Sequence, residues 1–137
     1  MIHHKGTKDT KEAREKADVL SNDIIGAAIE VRRLLGPGLL ESAYEECLAR
    51  ELQLRRVAFE RQIRLPIEYK GERLDCGYRL DFIVDGLVIV ELKAVDRLEP
   101  VHKAQLLTYL RLTNIWLGLL INFNVPVLKN GIERFVN

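Results

Sequence analysis

The chain has little sulfur. Its two cysteines, Cys47 and Cys76, are far apart, and no Cys-x-x-Cys is present. That excludes a disulfide framework and speaks against a structural zinc site. Two unbonded thiols fit a reduced, cytoplasmic protein. Charge of one sign is also lacking: Lys plus Arg number 21 against 20 Asp plus Glu, a net charge of +1. The bulk charge therefore points neither toward nor away from a polyanionic partner. No apolar run approaches the roughly 18 residues of a membrane helix, and the N-terminus carries no apolar signal core. Four prolines and nine glycines leave no low-complexity tract, and no internal repeat is visible. What is there is ordinary for one globular domain: 137 residues, 47% hydrophobic and 30% charged. Residues 1–17 are polar and lysine-rich and read as a flexible lead-in, with a single domain over 18–137.

Hydrophobic periodicity orders the elements. Ser21, Asn22 or Asp23 would cap a helix in which Ile24, Ile25, Ala28, Val31, Leu34 and Leu35 recur at helical spacing. Gly36-Pro37-Gly38 stops it, and a second helix follows over about 40–55. The period then changes to two. Phe59, Arg61, Ile63, Leu65, Ile67 and Tyr69 mark a half-buried strand in which Pro66 implies an edge position or a bulge. After Lys70-Gly71-Glu72 a second strand runs to Val84, and after Asp85-Gly86 a third covers 87–93. The third is apolar on both faces and therefore central. A helix over 101–112 and another central strand over 115–123 complete the order α-α-β-β-β-α-β, with a last short strand expected in the tail. This is an α/β layer structure with a mixed sheet flanked by helices. Over 55–79 seven basic residues (Arg55, Arg56, Arg61, Arg64, Lys70, Arg73, Arg79) face four acids (Glu60, Glu68, Glu72, Asp75), a mild basic bias that a solvated face also explains.

The chemistry concentrates at strand ends. Asp81 closes Gly77-Tyr78-Arg79-Leu80-Asp81, and Glu91-Leu92-Lys93 closes the run Leu87-Val88-Ile89-Val90. Glu91 and Lys93 are two apart and leave the same face. Whether Asp81 joins them depends on the hairpin. A two-residue loop at Asp85-Gly86 pairs Leu80 with Glu91 and turns Asp81 away. A loop of three residues, for which Val84-Asp85-Gly86 is the candidate, or one bulge brings Asp81 to the Glu91 face. Carboxylates placed there are costly unless paired or bound to a cation. Two of them, with the Leu92 carbonyl and waters, would hold Mg²⁺ or Mn²⁺. Lys93 would then orient a water or stabilise charge on a phosphate. An Asp–Lys or Glu–Lys ion pair on a solvated strand end accounts for the same spacing.

Two further groups lie outside this hairpin. Glu41 falls in the first turn of the second helix, where an acid also favours the helix dipole, and Tyr44 follows on nearly the same face. His102, Gln105 and Tyr109 share one side of the helix after the third strand, where an amphipathic helix with Tyr109 at the core edge is the plainer account.

Together these residues make the chain similar to the GxxExxY family, a branch of the PD-(D/E)XK nuclease superfamily. Gly38, Glu41 and Tyr44 match the name motif, Asp81 the acidic motif and Glu91-x-Lys93 the E-x-K motif. Gln105 and Tyr109 resemble the Q-x-x-x-Y helix of exonuclease-like branches. The likeness runs from about Leu20 to Val136, with Leu80 in place of the proline before the motif aspartate. It implies a restriction-endonuclease-like core with a site at one end of the sheet. Glu41, Asp81 and Glu91 would be the Mg²⁺ or Mn²⁺ ligands and Lys93 the catalytic lysine. Gln105, Tyr109, Tyr44 and His102 would touch the substrate or brace the site. The implied activity is hydrolysis of nucleic-acid phosphodiesters, DNA ahead of RNA, leaving a 5′-phosphate, with no membrane partner. A catalytically silent nucleic-acid-binding or accessory module on the same fold is the alternative. So small a chain has no separate recognition domain, so a second copy or a partner protein would widen the footprint.

Overall fold

The computed structural model describes residues 10–137. Its elements run α1 (Lys11–Leu35), α2 (Glu41–Leu54), β1 (Phe59–Arg64), β2 (Ile67–Tyr69), β3 (Glu72–Leu74), β4 (Arg79–Val84), β5 (Val88–Lys93), α3 (Pro100–Thr113), β6 (Leu117–Asn122), one 3₁₀ turn (Leu128–Gly131) and β7 (Ile132–Val136). The main sheet has the order β1-β4-β5-β6-β7, antiparallel throughout except for the parallel pair β5–β6. A parallel pair needs a long crossover, and α3 supplies it. β5 and β6 are buried almost end to end, as their apolar runs require. One core cluster joins Ile24, Ala28 and Val31 of α1 and Leu48 and Leu52 of α2 to Phe82, Val90 and Leu119 of the sheet. The other joins Leu106, Tyr109 and Leu110 of α3 to Ile83, Ile89 and Leu120. The helices thus cover both faces of a mixed five-stranded sheet, the restriction-endonuclease-like layering.

Three boundaries differ from the sequence expectation. α1 begins ten residues before Ser21, at Lys11, with the Thr10 hydroxyl accepting the Ala13 amide at 3.0 Å. Ser21 is a buried mid-helix residue whose hydroxyl donates to the Asp18 carbonyl at 2.7 Å, so it has no need of a cap position. The expected lead-in over 1–17 is therefore helical from Lys11, and Ala17 is buried; residues 1–9 lie outside the described residues. The two long strands expected on either side of Lys70-Gly71 are each broken. Pro66, which has no amide to give a ladder, separates β1 from β2. Asp75-Cys76-Gly77-Tyr78 separates β3 from β4, with Gly77 at φ 80° and its amide donated to the Asp75 carboxylate at 3.0 Å. β2 and β3 form a separate two-stranded arm with a Lys70-Gly71 turn.

Candidate active site

The turn between β4 and β5 sets the site. Asp85 (φ 50°) and Gly86 (φ 67°) are both left-handed, and the Leu87 amide donates to the Val84 carbonyl at 2.9 Å. That is a tight turn of the kind Asp-Gly favours in hairpins. Leu87 is then an extra residue before the ladder starts, because Val84 pairs with Val88, Ile83 with Ile89 and Phe82 with Val90. The connection is odd, as a shared Asp81–Glu91 face demands. Its members are Asp85-Gly86-Leu87 rather than Val84-Asp85-Gly86, because the extra residue falls after the turn and not before it. Continuing the register sets Asp81 opposite Glu91.

At that point the ladder stops and side chains replace it. The Asp81 amide donates to Glu91 Oε2 at 2.7 Å, and the Leu92 amide donates to Asp81 Oδ2 at 2.8 Å. Each carboxylate thus holds a main-chain amide of the other strand. The outer side is irregular as well. Arg61 pairs with Phe82 and Ile63 with Leu80, while Gln62 between them is left-handed at φ 51°. Leu80 packs with the α3 cluster and Phe82 with the α1–α2 cluster, although residues two apart on an unbroken strand share a face. The strand therefore kinks at Asp81, which lets its carboxylate reach β5.

Burial dominates the electrostatics. It raises the Asp81 pKa to about 6; the charges of Glu41 and Glu45 add to this, while the Leu92 amide and Lys93 oppose it. Glu91, only 5% exposed, is held well above the usual carboxylate range, first by burial and then by the charge of Asp81. Glu41 is raised by burial, with Lys93 and His102 pulling down and Glu45 pushing up. Lys93 thus acts on all three carboxylates through space, yet its ammonium makes no ion pair or hydrogen bond among the described residues. The ion-pair account of the spacing fails here, because the carboxylates bind amides and Glu91 is buried.

The remaining expected residues divide. Glu41 opens α2 and reaches the field of Asp81, Glu91 and Lys93. Tyr44 braces and is fully buried: its hydroxyl donates to the Gly36 carbonyl at 2.7 Å and accepts the Leu39 amide at 3.2 Å, and its ring stacks on Phe123 at 4.4 Å. It locks the Gly36-Pro37-Gly38 turn, in which Gly38 sits at φ 90°, and so fixes where Glu41 begins. His102 completes a capping box, accepting the Glu99 amide at Nδ1 over 3.0 Å. Tyr109 is buried on α3. Its ionisation is disfavoured by burial and by the charges of Glu91, Tyr78 and Asp81, so it lies within the field of the carboxylate pair. Gln105 stands one turn before Tyr109 and lines a cavity with it.

Sequence reading missed three contributors. Gln62 Nε2 donates to Glu45 Oε1 at 2.8 Å and approaches Asp81 Oδ1 at 3.5 Å, linking α2 to the kink. Arg61 bridges Glu45 and Glu46 at 2.8 and 2.6 Å. Asn122, buried and paired with Lys93 across the sheet, accepts the Val95 and Asn124 amides at 3.0 and 3.2 Å and donates to the Val95 carbonyl at 2.9 Å. It fixes the chain as it leaves Lys93. A polar residue ending an otherwise apolar strand was the one available signal.

The donor set is hard oxygen, which suits Mg²⁺ or Mn²⁺. Asp81 and Glu91 stand together in a buried spot where a cation would offset their repulsion. Among the described residues no group of three or more His, Cys, Asp or Glu stands close enough to hold an ion. The arrangement fits an ion held by the Asp81–Glu91 pair and waters, the habit of Mg²⁺, better than a preformed three-carboxylate cage.

A mixed sheet wrapped by helices, with a kinked Asp strand beside a central strand ending in Glu-x-Lys, defines a restriction-endonuclease-like protein. The chain belongs to the PD-(D/E)XK nuclease superfamily, whose family model matches residues 18–135. No curated protein and no solved structure matches it. Among the described residues, no helix is long and apolar enough to cross a membrane.

Proposed function

We propose that this chain is a divalent-metal-dependent nuclease that hydrolyses phosphodiester bonds, in DNA ahead of RNA. The observation that carries the reading is the buried Asp81–Glu91 pair beside an unpaired Lys93 at the end of the central strands. Asp81 and Glu91 would hold Mg²⁺ or Mn²⁺ with the Leu92 carbonyl and waters, and Glu41 would reach the ion through one of those waters. When bound, such an ion lowers the pKa of a water and stabilises charge on a phosphate. Lys93 places a cation where the phosphate gains negative charge, in a setting dry enough to make it count. Tyr109 and Gln105 touch the substrate, and Tyr44, Asn122 and His102 hold the elements in place. We also assign the chain to the GxxExxY branch, because the motif has a physical reading here. Gly38 supplies a left-handed turn, Tyr44 locks it, and Glu41 thereby opens α2 within the field of Lys93.

One observation favours a second reading. The carboxylates are already engaged by amides, as in a structural lock, and a silent nucleic-acid-binding module on this fold would look the same. A screen over single strands, duplexes, flaps and RNA with Mn²⁺, against an EDTA control, separates the two. The nuclease reading expects metal-dependent cleavage that is lost in Asp81→Ala, Glu91→Ala and Lys93→Ala, with Mn²⁺ binding weakened only in the first two. Folded wild-type protein that binds nucleic acid but cuts none of these substrates would establish the module instead.

A further inference from the structure

The β2–β3 arm overhangs α3, and between them lies a cavity of about 540 Å³, a size usual for ligand sites. Its walls include Ile67 and Cys76 from the arm side, Tyr78 from the approach to β4, and Gln105, Thr108 and Tyr109 from α3. Most of the lining is apolar, but three polar heads reach it without partners: the Gln105 carboxamide and the hydroxyls of Tyr78 and Tyr109 make no hydrogen bond among the described residues. Thr108 is not available, because its hydroxyl is taken up by Ala104 and Arg111. Tyr78 and Tyr109 meet edge to face, with ring centroids 6.3 Å apart and planes at 72°. Tyr78 is partly exposed where it lines the cavity.

These features ask for a flat heteroaromatic ring with hydrogen-bonding edges. The accessible Tyr78 ring offers an aromatic surface, and the Gln105 amide offers a donor and an acceptor side by side. The cavity also adjoins the carboxylates. Tyr109 walls it while lying in the field of Glu91 and Asp81, and Tyr78 precedes Asp81 by three residues, about 10 Å of extended chain. A phosphate at the carboxylates and a ring in the cavity thus belong to one nucleotide or to neighbours.

We propose that this cavity takes an unpaired nucleobase of the strand being cut, so that the substrate is single-stranded or frayed at the reacting nucleotide. A base seated between the arm and α3 cannot remain stacked in a duplex. The proposal rests on the nuclease reading for the phosphate, but the base contact is independent of turnover.

The test measures binding of a short single-stranded thymidine oligonucleotide in EDTA, and its cleavage in Mn²⁺, with an abasic site moved along the strand. At one position next to the scissile phosphate, loss of the base should weaken binding about tenfold, the scale of one base–aromatic stack. Tyr78→Ala and Gln105→Ala should weaken the intact strand similarly and abolish the abasic effect, while Tyr78→Phe keeps the stacking share. Because Tyr78 is partly exposed, its alanine variant should keep the wild-type thermal midpoint. In a Cys47→Ser background, alkylation of Cys76 on the cavity wall should slow when the oligonucleotide saturates the protein. Cleavage and binding indifferent to the abasic site would overturn the proposal and leave the nuclease standing. Base-dependent binding without cleavage would overturn the nuclease and leave the cavity. Unchanged Cys76 alkylation at saturation would also overturn it, as would a peptide or apolar dye that displaces nothing yet fills the same cavity.

Discussion

Replacing Asp81 with asparagine should stabilise the metal-free protein at neutral and alkaline pH. Asparagine has the same shape and keeps an oxygen for the Leu92 amide, so the 2.8 Å hydrogen bond survives. What it removes is a carboxylate that folding buries beside Glu91. The folded carboxyl holds its proton more tightly than the unfolded chain does, with a pKa of about 6 against 3.8. Stability from this group is therefore full below the unfolded value and falls as pH rises through the folded one. At about 1.4 kcal/mol per pH unit, the shift corresponds to ~3 kcal/mol lost by alkaline pH. Water at the partly exposed site trims that figure, leaving roughly 1–3 kcal/mol to be regained by the asparagine, or about 2–10 °C in midpoint. Urea unfolding in EDTA at about pH 8 and about pH 4 measures it. The gain should be present at the higher pH and absent at the lower. Mn²⁺ should then stabilise the wild type by mass action and the variant much less. A variant less stable than wild type at about pH 8, or one whose gain is the same at both pH values, would show that burial of charge is not the governing cost.

Tyr44→Phe should cost about 1–2 kcal/mol by urea unfolding, since it takes their shared hydroxyl from the Leu39 amide and Gly36 carbonyl in a part-buried turn; an unchanged midpoint would mean the turn holds itself. Asn122→Ala removes three hydrogen bonds, two to Val95 and one to Asn124, and should cost roughly 2–3 kcal/mol. It should also lower cleavage more than binding if it serves to hold Lys93 in place. Gly131→Ala drives a Cβ into the Asn122 carbonyl oxygen, so backbone must move. Its loss of stability should exceed the ~1–3 kcal/mol of ordinary overpacking, and a neutral result in thermal unfolding would contradict that close approach.

Much of the fold was legible because it rests on local periodicity. The buried runs of β5 and β6 and the Gly36-Pro37-Gly38 stop were plain. The parity of the β4–β5 connection was legible too, because only an odd one lets Asp81 face Glu91. Which side of the turn carries the extra residue was not, since Leu87 and Val84 are equally apolar. The start of α1 was hidden by Ser21, a residue type that reads as a cap but here spends its hydroxyl on the Asp18 carbonyl inside the helix. The split strands hinge on Pro66 and Gly77, whose effect is to end a ladder whose partner lies far along the chain. Gln62 and Glu45 were invisible for the same reason: each matters to Asp81 only once α2 lies across β1. Tyr44 was noticed, but only its surroundings show that it holds a turn.

The β4–β5 connection also carries an evolutionary consequence. Loops ordinarily tolerate changes in length far better than changes in the core. This one should behave the same way, and the constraint lies in the strands it joins. Removing Leu87 would leave an Asp85-Gly86 hairpin with Val84 still opposite Val88, so the acids would keep a common face. Losing one residue between Asp81 and the turn, or between the turn and Glu91, would instead slide the acids to opposite faces. Descendants of this chain are thus free to vary the length and contents of the loop, whereas the spacing from the turn to each acid must stay matched.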